Sequence, residues 1–99
     1  MSGDDDPRVL RLSPGDQVVI ARGPIPAGAT LVLQGRQVTT TMDIPVGFKL
    51  AADDLAAGTV VHRAGVRIGR LTADVALGQL VHLHNLESLY LRTHARGES

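Results

Sequence analysis

The chain has 99 residues, 43% of them hydrophobic and 20% charged, which is the composition of one folded domain and excludes a disordered segment. Ten basic residues balance ten acidic ones and 2% of the chain is aromatic, so neither a basic surface nor a stacking platform for nucleic acid is expected. Cysteine is absent, which excludes disulfides, thiolate metal sites and cysteine nucleophiles.

The acidic first residues do not have the pattern of a signal peptide, and no apolar run approaches the roughly 20 residues that span a bilayer. We therefore expect a cytoplasmic protein that binds neither membranes nor nucleic acid. Residues 1–8 are predicted to be a disordered tail, residues 9–92 a single domain, and residues 93–99 a charged C-terminal tail.

Short apolar runs rich in Val, Ile and Thr, separated by Gly and Pro, predict a mainly β chain. The predicted strands, in chain order, are 16–21, 30–33, 36–42, 48–51, 59–62, 66–71 and 79–84. Gln34 and Gly35 separate the second strand from the third, and this pair predicts a tight hairpin turn.

Helical structure is predicted only in short pieces. Residues 51–57 are long enough for one helical turn. Leu86, Leu89 and Tyr90 share one face at helical spacing, which predicts a short helix over residues 86–94. Asn85 would be its N-cap, because an amide oxygen there can accept a hydrogen bond from a free backbone N–H.

A four-residue pattern recurs along the chain: an aliphatic residue, a Pro or small residue, a small or aliphatic residue, and Gly. Its occurrences are 25–28, 44–47, 55–58 and 75–78. Each predicts a tight turn in which Pro sets φ at the first central position, Gly adopts a positive φ and the aliphatic residue anchors the core. Asp43, Asp54 and Asp74 precede three of these turns, where Asp commonly binds backbone amides. Four such turns predict a compact, pseudo-symmetric β structure.

These turns resemble those of the SAF domain, a β-clip fold. The segments DIPVGFKLA (43–51), IGRLTAD (68–74) and GQLVHLHNLES (78–88) resemble the N-terminal domain of altronate and galactarate dehydratases. The same module occurs as the small subunit of (2R)-sulfolactate sulfo-lyase. The most specific part of the resemblance is VHLHN at 81–85. The resemblance therefore implies a mainly β, compact SAF-like β-clip domain of short strands with one or two helical turns.

The resemblance implies a lyase that eliminates a leaving group from a sugar acid or related hydroxy acid with a divalent metal, iron or manganese. A larger catalytic subunit would complete the active site and could supply the metal, which makes this chain a small subunit. Two positions depart from the family pattern. Phe48 stands where the family usually has His, and Arg63-Ala64-Gly65 stands where members often have Lys-Tyr-Gly.

His82 and His84 are the first candidates for chemistry. Two residues apart on a strand, they would share one face while Val81 and Leu83 point into the core. Two imidazoles side by side suit a metal site or the binding and proton transfer of a carboxylate substrate. Asn85 could bind a substrate hydroxyl. The competing interpretation is a polar strand face with two incidental histidines.

Lys49 and His62 are candidates for substrate binding. Lys49 matches a family position and could pair with a substrate carboxylate, although a solvated surface lysine has the same sequence signature. His62 follows an apolar run and would approach the site or lie exposed at a strand end. His94, in the charged tail, is not assigned a role.

Three hypotheses follow. The first is the small subunit of a metal-dependent lyase, with His82, His84 and Asn85 facing a site completed by a partner. The second is a non-catalytic SAF-type binding module. The third is a structural or oligomerisation domain without activity, which the Phe48 substitution favours.

Overall fold

The computed structural model describes residues 5–88, and this part of the chain consists of strands and turns with no helix. The strands are β1 (Val9–Leu10), β2 (Val18–Ala21), β3 (Thr30–Leu33), β4 (Arg36–Thr39), β5 (Lys49–Ala51), β6 (Val60–Arg63), β7 (Val66–Leu71), β8 (Leu80–Val81) and β9 (Leu86–Ser88). The prediction of a mainly β, compact domain is therefore confirmed. No helix in the described range is long and apolar enough to cross a membrane.

The strands form three antiparallel sheets. A four-stranded sheet in the order β1-β2-β5-β8 occupies the centre. The β3–β4 hairpin forms a second sheet, and a third has the order β6-β7-β9. Because side chains alternate along a strand, neighbouring residues of the central sheet enter two different cores. Val19 and Leu50 belong to one core, whereas Val18 and Ala51 belong to the other.

The two cores are named here by the sheet that contributes to them. The hairpin-side core contains Val9, Val19, Ala21, Ile25, Leu31, Leu33, Ile44, Leu50, Ala52 and Leu77. The β6-side core contains Val18, Ala51, Val61, Leu71, Val75 and Val81. The central sheet is thus buried on both faces, which fits the short aliphatic runs of β2 and β5.

The four repeated turns form as predicted in two respects. Gly28, Gly47, Gly58 and Gly78 all have φ between 81° and 91°. The aliphatic residues anchor the cores: Ile25, Ile44 and Val75 are buried, and Leu55 is half-buried against the β6-side core. These residues also pair across isolated bridges, Ile25 with Ile44 and Leu55 with Val75. The predicted place of proline is wrong. The Ala29 N–H donates to the Pro26 carbonyl, so Pro26 is the first corner of the turn and Ala27-Gly28 are its central residues.

The aspartates before the turns bind backbone amides, as predicted, but across the turn pair. Asp74 Oδ1 accepts from the Ala57 N–H at 2.8 Å, and Asp54 Oδ1 accepts from the Leu77 N–H at 2.9 Å. In the other pair Asp43 accepts from the Ala27 N–H at 2.9 Å. Three of the four turns are therefore fixed by an aspartate that is distant in sequence, and no aspartate in the described range binds the turn at 44–47.

The expected pseudo-symmetry is present as a repeat of turn, hairpin and turn. Gly28 recurs as Gly58, and the positive-φ hairpin pair Gln34-Gly35 recurs as Ala64-Gly65. The second copy is one residue longer after its hairpin. In the β6–β7 pair, Val61 lies opposite Gly69, but the next residue, His62, lies opposite Arg67. Ile68 is therefore the extra residue of a β-bulge in β7.

Both predicted helical pieces in the described range are wrong. After β5 the chain bends at residues 52–53, and no helical turn forms because Leu55 pairs with Val75 across an isolated bridge. Leu86 begins strand β9 instead of a helix, because it pairs with Leu71 of β7. Asn85 is consequently not a helix cap. Residues 89–94 of the predicted helix lie outside the described residues.

The domain also begins earlier than the predicted tail boundary at residue 8. Asp5 accepts from the Gln34 N–H at 3.0 Å, and Asp16 accepts from Ala64 N–H and Gly65 N–H at 2.7 and 3.0 Å, so each hairpin turn is held by a carboxylate. Arg11 links the two, binding the Asp5 carboxylate and the Asp16 carbonyl. The boundaries at residues 92 and 93 lie outside the described range.

Acid should weaken the hydrogen bonds by which Asp6 attaches the N-terminal residues to strand β3. The Arg8 side chain, with the backbone N–H groups of Arg8 and Val32, holds the pKa of Asp6 at about 2, below its usual 3.8. A lowered folded-state pKa adds stability that is present above the unfolded pKa and is lost as pH falls from about 4 to about 2. Urea unfolding followed across this range should show the loss, and Asp6→Asn should make the profile flatter. An identical profile for Asp6→Asn and the native chain would contradict this assignment.

Candidate functional site

The HLHN segment forms a turn at the end of β8. Strand pairing stops at Val81, which lies opposite Lys49 of β5. The Asn85 N–H then donates to the His82 carbonyl at 3.0 Å, which closes a turn over residues 82–85. The predicted strand 79–84 is therefore too long, and the two histidines are turn residues.

Asn85 holds this turn in place. Its side chain is 7% exposed; Oδ1 accepts from the His82 N–H at 2.9 Å, and Nδ2 donates to the Leu80 carbonyl at 2.9 Å. Its carbonyl accepts from the Thr72 N–H at 2.9 Å. The amide thus binds the backbone on both sides of Val81, so its geometry is that of a positioning residue.

The His82 ring rests against Phe48. The ring centroids are 4.7 Å apart and the planes are tilted by 44°. Phe48 directly precedes β5, and its other contacts are with the hairpin-side core. His82 is therefore half-buried, with its backbone fixed by Asn85 and its ring supported by an aromatic face.

Leu83 and His84 form the exposed tip of the turn. Leu83 is 81% exposed, so the prediction that it points into the core is wrong; the strand alternation on which it depended ends at Val81. His84 is also exposed. The described residues place a ring contact on His82 and none on His84, so the two imidazoles have different surroundings.

Lys49 lies on the neighbouring strand and is half-buried. Burial, and secondarily the positive charge of Arg63, lower the pKa of the Lys49 ammonium below its usual value. Its side chain has no hydrogen-bond or ion-pair partner within residues 5–88. Lys49 is therefore a partly desolvated cation that is influenced by the charge of Arg63, and it is not the fully solvated surface lysine that the sequence also allowed.

His62 is held away from the turn by Gln17. Gln17 Oε1 accepts from the His62 N–H at 2.7 Å and lies 3.2 Å from Nδ1, an arrangement that favours the tautomer protonated at Nδ1. No contact among the described residues joins His62 to His82 or Lys49. A role for His62 in substrate binding stays a prediction.

The described residues do not supply a complete metal site. No group of three or more His, Asp or Glu side chains comes together within residues 5–88. The Asn85 amide is committed to the turn, and a protein metal site normally uses at least three protein ligands. His82 and His84 as metal ligands stay a prediction that needs ligands from elsewhere.

Sequence reasoning missed two contributors to this region. In the sequence Phe48 stands out only as a departure from the family pattern, yet in the structure it supports the His82 ring. Arg63 stands out in the same way, yet its charge acts on Lys49. The sequence does indicate that a positive charge is retained at Arg63, since Arg63 is a cation at a position where the family often has Lys.

Comparison with known proteins agrees with this fold. The family model of the altronate/galactarate dehydratase SAF domain matches residues 7–89. The chain belongs to this SAF-domain family. The matched range contains every described strand, the His82 turn and all four repeated turns. The SAF domain is a small β fold, as the structure has it.

Relatives of this SAF-domain chain include whole enzymes and separate subunits. Altronate dehydratase of Escherichia coli (strain K12) is 36% identical over 70 residues, which cover 71% of this chain and 14% of that protein. The (2R)-sulfolactate sulfo-lyase subunit alpha of Chromohalobacter salexigens is 42% identical over 45 residues, covering 46% and 48%. The subunit alpha of Paracoccus pantotrophus is 36% identical over 52 residues, covering 52% and 78%. The chain therefore spans a small part of the dehydratase and about half of the first of these subunits.

Asn85→Ala should destabilise the SAF domain. It leaves the His82 N–H and the Leu80 carbonyl without partners, which costs about 1–3 kcal/mol of unfolding free energy. Urea denaturation measures the loss, with His84→Ala, an exposed residue of the same turn, as the control. Equal stability of the two variants would contradict the buried role of Asn85.

Proposed function

We propose that this chain is the SAF-domain component of a lyase that acts on a sugar acid or related hydroxy acid, with an active site completed by a larger catalytic chain. The observation that supports this most is His82, which is half-buried against Phe48 while its backbone is held by Asn85. An ionisable side chain held in position is what proton transfer requires.

The proposed chemistry divides between two chains. Elimination from a hydroxy acid needs a base for the proton next to the carboxylate and an acid or Lewis acid for the leaving group. His82 serves as the acid or base, and Asn85 positions it. His84, on the same turn, contacts the substrate or a metal only in the complex. The larger chain holds the iron or manganese that the resemblance implies, because residues 5–88 bring no three-ligand set together.

The turn 82–85 is also the proposed contact with the larger chain. Leu83 is 81% exposed on a turn whose backbone and Asn85 side chain are hydrogen-bonded. A large apolar side chain held out on a rigid support loses little conformational freedom when it is buried by a partner. The subunit names of the sulfo-lyase relatives support a multi-chain arrangement.

Reconstitution tests this proposal. The full chain is purified with a candidate larger catalytic chain, and turnover of altronate, galactarate and sulfolactate is measured for each chain alone and for the mixture. Activity that requires both chains supports the proposal. Activity of this chain alone contradicts the shared site, and full activity of the larger chain alone contradicts any catalytic part for this one.

The alternative is a non-catalytic SAF-type binding or oligomerisation module. The observation that favours it is Phe48, since a phenyl ring cannot transfer protons at the position where the family usually has His. In that case the mixture would associate through the same turn, and removal of the His82 imidazole would not change turnover.

A further inference from the structure

Lys49 and Arg63 lie on strands of two different sheets that border the same core. Lys49 is two residues from Ala51 on β5, and Arg63 is two residues from Val61 on β6. Ala51 and Val61 are both fully buried in the β6-side core. Because side chains at i and i+2 share a face, both cations point into the gap between the central sheet and the β6-β7-β9 sheet.

Both cations lie at the open end of that gap. Ile20, which lies opposite Lys49 in the β2–β5 register, is half-buried, whereas Val18, opposite Ala51, is 1% exposed. Arg63 is the last residue of β6, just before the Ala64-Gly65 turn, and it is exposed. The half-buried Lys49 and the exposed Arg63 therefore both lie at the solvent edge of the β6-side core.

Neither cation is held by a carboxylate among the described residues. Arg8, Arg11 and Arg36 each pair with a carboxylate at 2.8–2.9 Å. By contrast, the side chains of Lys49 and Arg63 make no ion pair within residues 5–88. Asp16, which binds the turn that follows Arg63, is buried, and its two carboxylate oxygens accept hydrogen bonds from the N–H groups of Ala64 and Gly65.

We propose that Lys49 and Arg63 form an anion subsite that binds the carboxylate of the hydroxy-acid substrate. Two like charges held together, one of them half-buried, are unfavourable until an anion binds between them. A guanidinium can bind a carboxylate with two parallel hydrogen bonds, and the ammonium adds a point charge. The inference rests on the proposed function for the identity of the anion.

The subsite lies beside the His82 turn. Lys49 is paired with Val81, the residue that precedes His82, on strands about 4.8 Å apart. An anion bound by Lys49 would therefore be adjacent to the element that carries the proposed acid or base. This placement assigns recognition to Lys49 and Arg63 and proton transfer to His82.

Anion binding can be measured by NMR on the full chain without the larger subunit. The probes are galactarate and altronate, with acetate as a mimic of a partner's side-chain carboxylate and chloride to match ionic strength. We expect the sugar acids to shift the Lys49 side-chain and Arg63 Nε–H signals, and to bind about tenfold more tightly than acetate. Lys49→Met and Arg63→Gln should each weaken binding about tenfold, whereas Arg67→Gln, an exposed arginine of β7, should not.

The outcomes separate this subsite from the proposed function. Absence of side-chain shifts, equal binding of acetate, or equal weakening by Arg67→Gln would each overturn the subsite, even if the reconstituted lyase is active. Specific sugar-acid binding by a chain whose complex has no lyase activity would sustain the subsite and refute the lyase. Retained amide spectra of the variants show that loss of binding is not loss of folding.

Discussion

Replacing His82 with Gln is expected to lower turnover of the reconstituted enzyme by about 100-fold or more, the usual contribution of a positioned acid or base. Gln retains a polar, planar end group, and the backbone hydrogen bond from the His82 N–H to Asn85 is untouched. The expected loss is therefore in kcat, with little change in stability or in association of the chains.

The matched control is His94→Gln, the same exchange at a histidine that no prediction places in the site. The pH profile gives a second measurement, because loss of an ionisable group should remove one limb of the native profile. Turnover of His82→Gln equal to that of His94→Gln would contradict the catalytic assignment and favour the non-catalytic module.

Gly69→Ala is expected to lower the unfolding free energy by about 3 kcal/mol. Gly69 is the buried centre of β7, between Val61 of β6 and Ser88 of β9. A Cβ there would lie 2.6 Å from the Glu87 carbonyl oxygen and 2.9 Å from Leu86 Cδ1. The clash includes backbone, so relief requires β9 to move away from β7.

Gly15→Ala is the control, because its Cβ would meet nothing within 4 Å and its φ is not positive. Urea denaturation should give a change within about 0.5 kcal/mol for this variant. Since β9 begins directly after Asn85, Gly69→Ala should also alter the His82 environment, visible as changed ring shifts. Equal stabilities of the two alanine variants would contradict the tight β7–β9 contact.

The sequence was informative wherever structure is fixed by neighbouring residues. Gln34-Gly35 predicts its hairpin and the glycines predict positive-φ turns, because both depend on local backbone preference. Strand β9 was missed because its partner, Leu71, is fifteen positions from Leu86, while the local apolar spacing favours a helix. Pairing between distant strands overrode that preference.

In the candidate site, too, local sequence predicted some features, and contacts between distant strands determined the others. The VHLHN motif located His82, but the strand that would have aligned His84 with it ends at Val81. Lys49 and Arg63 border one core because of how two sheets stack, and spacing along the chain carries no signal of this arrangement. The Phe48 support of His82 was equally hidden, since it depends on the β5–β8 register.

Strand β5 lies between the two copies of the turn–hairpin–turn repeat. It follows the second turn of the first copy, at Gly47, and precedes the first turn of the second copy, at Gly58. It also contributes Leu50 to one core and Ala51 to the other. A cut within β5 would remove a strand from the core of each repeat copy. We therefore expect that neither copy folds alone and that the domain folds and unfolds as one cooperative unit.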